Sequence, residues 1–235
     1  MKLAGDVLDE LLIGARDNGW ATADGVSLAQ LRSDAGRLRF HVHKVRTGPV
    51  SPEIDVLTPT PQDKAAARSL SAVYGVGPQP LHTDGAHHED PPDVLFFSCD
   101  EVSAVPTLLL PMARPASGPL GFDFRHGLFT VASGKGGFLA PAWTQAGKVR
   151  YDPGCMTAAD DRASRVSKFM ELRLVDGSPT PFTWDTPGRV LAINNRTVLH
   201  ARGDASSETD RVLKRMAVRV HTWPDTPTAQ QGSAS

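Results

Sequence analysis

The chain has little sulfur, no long apolar run and almost no net charge, and each shortage closes off a class of protein. Two cysteines, Cys99 and Cys155, among 235 residues cannot build a disulfide framework, which points to a reducing compartment. No stretch approaches the ~20 consecutive apolar residues that a bilayer-spanning helix needs. The first residues also lack the charged and then apolar pattern of a secretory leader, so a cytoplasmic location is expected. A formal net charge of −1 gives neither nucleic acid nor an anionic membrane an electrostatic reason to bind. Repeats are missing too: 19 prolines and 21 glycines are scattered without a period, which predicts short strands joined by turns rather than a solenoid or helical bundle. What remains is 40% apolar and 22% charged, the balance of a globular domain long enough to bury a core without staples. One domain over residues 1–225 is expected, with a helical packing segment at 1–37 and a disordered tail at 226–235.

Along the chain, Leu3, Val7, Leu8, Leu11 and Leu12 recur at helical spacing with Asp6, Asp9 and Glu10 opposite, predicting an amphipathic helix that ends near Gly14. Ser27 is a suitable cap for a second, short helix through Leu28 and Leu31. Residues 38–46 alternate like a strand, and 47–63, rich in Pro and Thr, read as an irregular connection with a helical turn after Asp63. Ser69 to Gly75, followed by Val-Gly-Pro-Gln-Pro80, reads equally as small and polar residues that let a ligand approach closely or as a strand and turn. Strands are expected at 93–98, 107–110, 128–132 and around 148–151, with a loop at 113–128 and a helix at 157–171. A last block gives strands at 189–194, 197–201 and 211–223. The cluster Gly134-Lys-Gly-Gly137 lacks the Gly-Lys-Ser/Thr ending of a phosphate loop.

The chemistry concentrates in Pro80-Leu-His-Thr-Asp-Gly-Ala-His-His-Glu-Asp-Pro-Pro92. In an extended segment, residues i and i+2 share a face, so His82 and Asp84 can stand side by side as cis ligands of a divalent metal. Val198-Leu-His-Ala-Arg202 supplies a third ligand, His200, completing a 2-His-1-carboxylate face that leaves half an octahedron open on non-haem Fe(II). Within the last strand, Arg211, Leu213 and Arg215 share one face while Val212, Met216, Val218 and Val220 share the other. A buried guanidinium needs a carboxylate or phosphate partner, which its planar fork grips bidentately; the alternative is that these arginines are solvated or paired with surface acids such as Asp204 and Asp210. His41 and His43 form an H-x-H pair with no carboxylate or cysteine beside them. His87 and His88 offer a substrate contact or a polar loop. Asn194 and Asn195 either orient His200 through its free ring nitrogen or make the turn their type favours. Cys99 reads as core, and Tyr151-Asp-Pro-Gly-Cys155 suggests no chemistry.

His82-Thr-Asp84 before Pro91-Pro92, then Thr107, then Asn195-Arg-x-x-Leu-His200 with Arg211 and Arg215 beyond it resembles the Fe(II)/2-oxoglutarate-dependent dioxygenases of the taurine dioxygenase (TauD/TfdA) and clavaminate synthase superfamily. The resemblance covers roughly residues 68–223. It implies a mainly β double-stranded β-helix, a distorted jelly roll with flanking helices. It further implies that His82, Asp84 and His200 bind Fe(II), and that Arg211, helped by Thr107, grips the distal carboxylate of 2-oxoglutarate. Arg215 would then meet an anionic substrate group, with Arg202 and His87 as further substrate contacts. With O2 as co-substrate, the implied reaction releases succinate and CO2 while oxidising an unactivated C–H bond of a small polar molecule such as an amino acid, nucleoside or natural-product intermediate. Halogenating members replace the carboxylate with a small residue, so Asp84 points to hydroxylation, desaturation or ring closure. Two competing readings are the same chemistry on a protein side chain and a non-catalytic metal- or small-molecule-binding β-sandwich. Oligomeric state is not readable from the residues.

Overall fold

Two apolar runs without alternation, β4 (Val94–Cys99) and β10 (Val190–Asn194), are buried along their whole length, as strands covered on both faces must be. In the computed structural model, which describes residues 3–33, 39–45, 51–67, 69–112, 118–134, 136–144 and 147–225, they form the centre of a six-stranded antiparallel sheet. β10 pairs with β1 (Trp20–Ala23), and β4 with β12 (Leu213–Val220). β12 carries two short partners on its far side, β2 (Phe40–Val42) along its C-terminal half and β3 (Asp55–Leu57) along its N-terminal half. A smaller sheet has the order β11 (Val198–Arg202), β5 (Ser103–Pro111), β9 (Thr180–Trp184). A third joins β7 (Gly136–Ala140), β6 (Phe129–Ser133) and β8 (Met156–Ala158).

Strand parity sorts the side chains into layers. Leu95, Phe97, Leu191, Ile193, Leu213 and Ala217 of the large sheet meet Leu109, Trp184 and Val198 of the small one, forming the interior between the sheets. The opposite face of the large sheet, with Val94, Phe96, Ala192, Met216 and Val218, is covered by Leu8, Leu11, Leu12 and Ala15 of α1 (Ala4–Asn18) and by α2 (Leu28–Leu31). Behind the small sheet, Leu110, Leu199 and Ala201 pack on Phe129, Val131 and Met156, closed over by α4 (Pro119–His126) and α5 (Asp161–Val175). Burying a side chain such as Phe96 contributes roughly 2–3 kcal/mol, so each layer holds the next by many such increments. No described helix is long and apolar enough to cross a membrane.

Several expectations give way here. α1 runs past Gly14 to Asn18 because Gly14 is a point of close approach, where a Cβ would lie 2.5 Å from that of Ala21 on β1; the helix stops at Gly19, with φ +91°. Ser69 to Gly75, expected as strand and turn, holds a short helix, α3 (Leu70–Tyr74). The loop expected at 113–128 contains α4, whose Pro119 sits in the first turn, where its missing N–H costs nothing; residues 113–117 lie outside the described set, as does the 226–235 tail. The connection at 47–63 contains β3, and β7 and β9 had no counterpart in the sequence reading. Around 148–151 there is only a single bridge, Val149 to Trp143.

Candidate metal centre

His82 extends the small sheet by one residue pair. Its N–H donates to the His200 carbonyl at 2.9 Å and the His200 N–H returns the bond at 2.9 Å. Residues that exchange both bonds lie directly opposite one another and point to the same face, so the two imidazoles meet with centroids 4.3 Å apart. That face is the interior between the sheets, since His200 has the parity of Val198. Asp84 arrives at the start of the turn that follows, while the intervening Thr83 points away and is tied to Tyr151. Its N–H donates to the Tyr151 carbonyl at 2.6 Å, and its Oγ1 accepts from the Tyr151 N–H at 3.1 Å. The Tyr151 stretch, to which the sequence suggested no chemistry, thus fixes the middle residue of the H-x-D motif. Gly85 then turns with φ +68°, and a Cβ there would lie 2.7 Å from Pro92, so only glycine fits the bend.

The result is a buried group of three ligating atoms lying within 4.8 Å of one another. Asp84 Oδ1 is 3.7 Å from His82 Nε2 and 3.9 Å from His200 Nε2. His82 Nδ1 is 2.9 Å from the Pro80 carbonyl; as donor there, it leaves Nε2 with its lone pair toward the group. Burial, then the neighbouring His82, push the His200 pKa down to about 3, so its imidazole is neutral at physiological pH. For Asp84, burial alone would raise the pKa, but the Arg215 cation and the two imidazoles outweigh it and hold the carboxyl at about 2. A neutral imidazole and an ionised carboxylate are the forms in which histidine and aspartate ligate a metal.

Asn195, in the turn between β10 and β11 that its type favours, has a second role that differs from orienting His200. Fully buried, it grips the main chain of Asp84: Oδ1 accepts from the Asp84 N–H at 2.9 Å, and Nδ2 donates to the carbonyls of Asp84 at 3.0 Å and Pro92 at 2.9 Å. Asn194 serves the turn, its Oδ1 accepting from the Arg196 N–H at 3.1 Å. Replacing Asn195 with alanine strands three buried backbone groups, each costing about 1–3 kcal/mol. Urea unfolding should therefore show a loss on the order of 3 kcal/mol, and Mn(II) titration of the remaining folded protein a weaker metal site.

Arg211, Thr107 and Trp184 share the same interior. Arg211 is buried, with Nε and Nη2 lacking hydrogen-bond partners among the described residues, and its guanidinium lies 5.9 Å from the Trp184 ring centroid. Trp184 Nε1 donates to Thr107 Oγ1 at 3.1 Å, leaving the threonine O–H free to donate elsewhere. Cys99, expected as core, is buried in this interior and lies beside the Arg211 guanidinium. Arg215 is engaged on both sides: Nη1 donates to Asp84 Oδ2 at 2.8 Å and Nη2 to Asp55 Oδ2 at 2.5 Å. Neither Asp204 nor Asp210 is its partner. Asp55, on β3, escaped the sequence reading; its only signal is one acid inside the apolar run Ile54-Asp-Val-Leu57.

Arg202 reaches the carbonyls of Gly75 at 2.7 Å and Gly77 at 2.6 Å through Nη2, tying down the chain that leads to His82. His87 stacks on His88 with centroids 4.2 Å apart, and His88 meets His43 edge-on at 4.6 Å. His41 faces His221, Nδ1 to Nε2 at 3.3 Å, so the H-x-H pair divides between two separate clusters and does not join the triad.

No protein-family model and no curated sequence matches this chain. Solved structures do. An asparagine oxygenase in complex with Fe(II), 2S,3S-3-hydroxyasparagine and succinate aligns with TM-score 0.68 and 16% identity, over 92% of this chain and 79% of that one. The non-heme iron oxygenase OrfP, in complex with Fe, succinate and (3S)-hydroxy-L-Arg, aligns at 0.58 and 19%, over 91% and 78%. PvcB from Pseudomonas aeruginosa aligns at 0.60 and 16%, over 91% and 80%. With these oxygenases the chain shares its fold, mostly antiparallel sheets with a few helices in the manner of a double-stranded β-helix.

Proposed function

We propose that the protein is an Fe(II)- and 2-oxoglutarate-dependent oxygenase that oxidises an unactivated C–H bond of a small polar metabolite, with an amino acid as the leading substrate class. The observation that carries this reading is the meeting of His82, Asp84 and His200 in one buried group between the sheets, on the same interior as an arginine with unpartnered donors. The donor set suits Fe(II), which takes imidazole and carboxylate together and leaves three positions open. Buried donors of Arg211 left without an acceptor are costly, and a keto acid's distal carboxylate fits them as a two-pronged partner. The asparagine and arginine derivatives bound by the neighbours support the substrate class. A role in secondary metabolism in the cytoplasm, acting on a small molecule without nucleic acid or membrane, fits the near-neutral charge and the two free cysteines.

Bound iron and keto acid supply the oxidising power, coupling O2 reduction and decarboxylation to C–H oxidation. The chain's own work is orientation and exclusion of water. His82 offers Nε2 because its other nitrogen is held by Pro80. His200 offers a neutral ring because burial keeps it unprotonated, and Phe97 shields it with ring centroids 5.6 Å apart. Arg211 and Thr107 would clasp the distal carboxylate, with the threonine proton aimed by the bond it accepts from Trp184. The buried interior keeps bulk water from the reacting centre.

Anaerobic addition of Fe(II) and then 2-oxoglutarate to the purified protein should produce a visible metal-to-ligand charge-transfer band, and admission of O2 should release succinate even without a substrate. A colourless mixture that turns over no 2-oxoglutarate would sink the oxygenase reading in favour of a binding protein. A metabolite screen for stimulated succinate release then identifies the substrate.

A further inference from the structure

Asp55 sits directly opposite Arg215 across the β3–β12 pairing, and both side chains are more than nine-tenths buried. Such a pair could be an ordinary ionic tie between strands. What sets it apart is the third member: the same guanidinium that donates to Asp55 at 2.5 Å donates through its other terminal nitrogen to Asp84 Oδ2 at 2.8 Å. Asp84 Oδ1, by contrast, is the atom that approaches both imidazole Nε2 atoms. The two oxygens of one carboxylate are therefore divided, one toward the metal group and one toward the arginine.

A planar guanidinium fixed at one end by a carboxylate has little freedom at the other. We infer that Asp55 is a positioning residue for the metal centre. By anchoring and neutralising Arg215, it holds Asp84 so that Oδ1 alone faces the metal. Three consequences follow. The carboxylate ligates through one oxygen, which keeps three coordination positions open. The positive charge of Arg215, which would otherwise oppose a divalent cation close by, is offset. Finally, each terminal nitrogen of Arg215 already donates to a carboxylate of the chain, while its buried Nε has no hydrogen-bond partner among the described residues. This inference rests on the reading of His82, Asp84 and His200 as a metal centre.

The test uses Co(II), whose visible spectrum reports both binding and coordination number, added to the full-length protein without 2-oxoglutarate. Wild type should bind Co(II). Asp55→Asn, nearly the same in shape but uncharged, should bind it roughly 10–100-fold more weakly, the usual loss when an outer partner of a ligand is removed. A metal-free melting curve is recorded alongside. If Asp55→Asn lowers the melting temperature but leaves the Co(II) affinity of the folded protein unchanged, Asp55 is only a tie between strands and the inference is overturned. Should that variant not fold, with Arg215 reduced to the Asp84 carboxylate alone, the double variant Asp55→Asn/Arg215→Met removes the cation as well, a change that buried ion pairs often tolerate. There the freed Asp84 should take a second coordination position, seen as weaker visible bands from a higher-coordinate Co(II), and a spectrum identical to wild type overturns the inference. If wild type itself binds no Co(II), the metal-centre reading falls first and carries this one with it.

Discussion

Replacing His200 with alanine is expected to abolish metal binding while leaving the fold nearly as stable as before. The two halves of that result have different causes. His200 Nδ1 is buried without a hydrogen-bond partner among the described residues, and its ring is kept from its ordinary protonation by burial, so in the metal-free protein the imidazole contributes little beyond packing. Its Nε2, however, is one of only three ligating atoms in the group. Losing it should exceed the roughly 10–100-fold penalty typical of removing an outer partner. Thermal melting with and without Mn(II) checks both halves. Wild type should gain stability with metal, by about 2.7 kcal/mol at a hundredfold excess over Kd, and the variant should gain none. His82→Ala should likewise lose the metal, with an added cost in stability because its Nδ1 bond to the Pro80 carbonyl goes with it. Asp84→Ala should also lose the metal but cost stability, since it strips Arg215 of one of its two carboxylates and leaves buried donors behind. Retained metal binding in His200→Ala would remove the basis of the proposed function.

Substituting Arg211 with alanine should separate the keto acid from the metal. Among the described residues no hydrogen bond or ion pair joins its side chain to the three ligands, so Fe(II) or Mn(II) affinity should stay within a few-fold of wild type. Two buried charge-assisted hydrogen bonds to a carboxylate are worth about 3–6 kcal/mol together, so the 2-oxoglutarate concentration needed for half-saturation of the charge-transfer band should rise by about 100-fold or more. Trp184→Phe gives a graded companion, because the ring under Arg211 survives while the N–H that orients Thr107 is lost; a rise of a few-fold is expected. If Arg215→Ala rather than Arg211→Ala produces the large effect on 2-oxoglutarate, the two arginines have the opposite roles, and Arg215 would hold the keto acid beside its carboxylates Asp55 and Asp84.

How much of this was legible beforehand depends on how far each signal extends along the chain. β12 was readable because its alternation runs over many residues, and the same parity put Arg211, Leu213 and Arg215 on one face, where the structure has them. His82, Asp84 and His200 were readable as ligand types at a suggestive spacing, though only the paired backbone bonds between His82 and His200 explain why the rings meet. The failures are short elements overruled by tertiary contacts. β3 is three residues long in a proline-rich stretch, too brief for any periodicity, yet it delivers Asp55. β7 begins with two glycines, whose sequence signal is a turn, and forms a strand because β6 lies alongside it. Val73 and Tyr74 favour strands by type but close a helix that Gly75 ends. Asn195 looked like a turn former and is one; its grip on Asp84 depends on a partner 111 residues away, which no local pattern can announce.

That separation bears on how the protein is made. The ligands, the residue that braces their backbone and the Asp55–Arg215 pair, whose members are 160 residues apart, all join the early part of the chain to its last strands. A ribosome must therefore release the chain through β12 before the interior around His82, Asp84 and His200 can close. Until then β4 and its neighbours, apolar on both sides, wait without their covering layers. Contacts of such long reach fold slowly, so crowded expression should favour aggregates, and slower synthesis at lower temperature should raise the soluble yield.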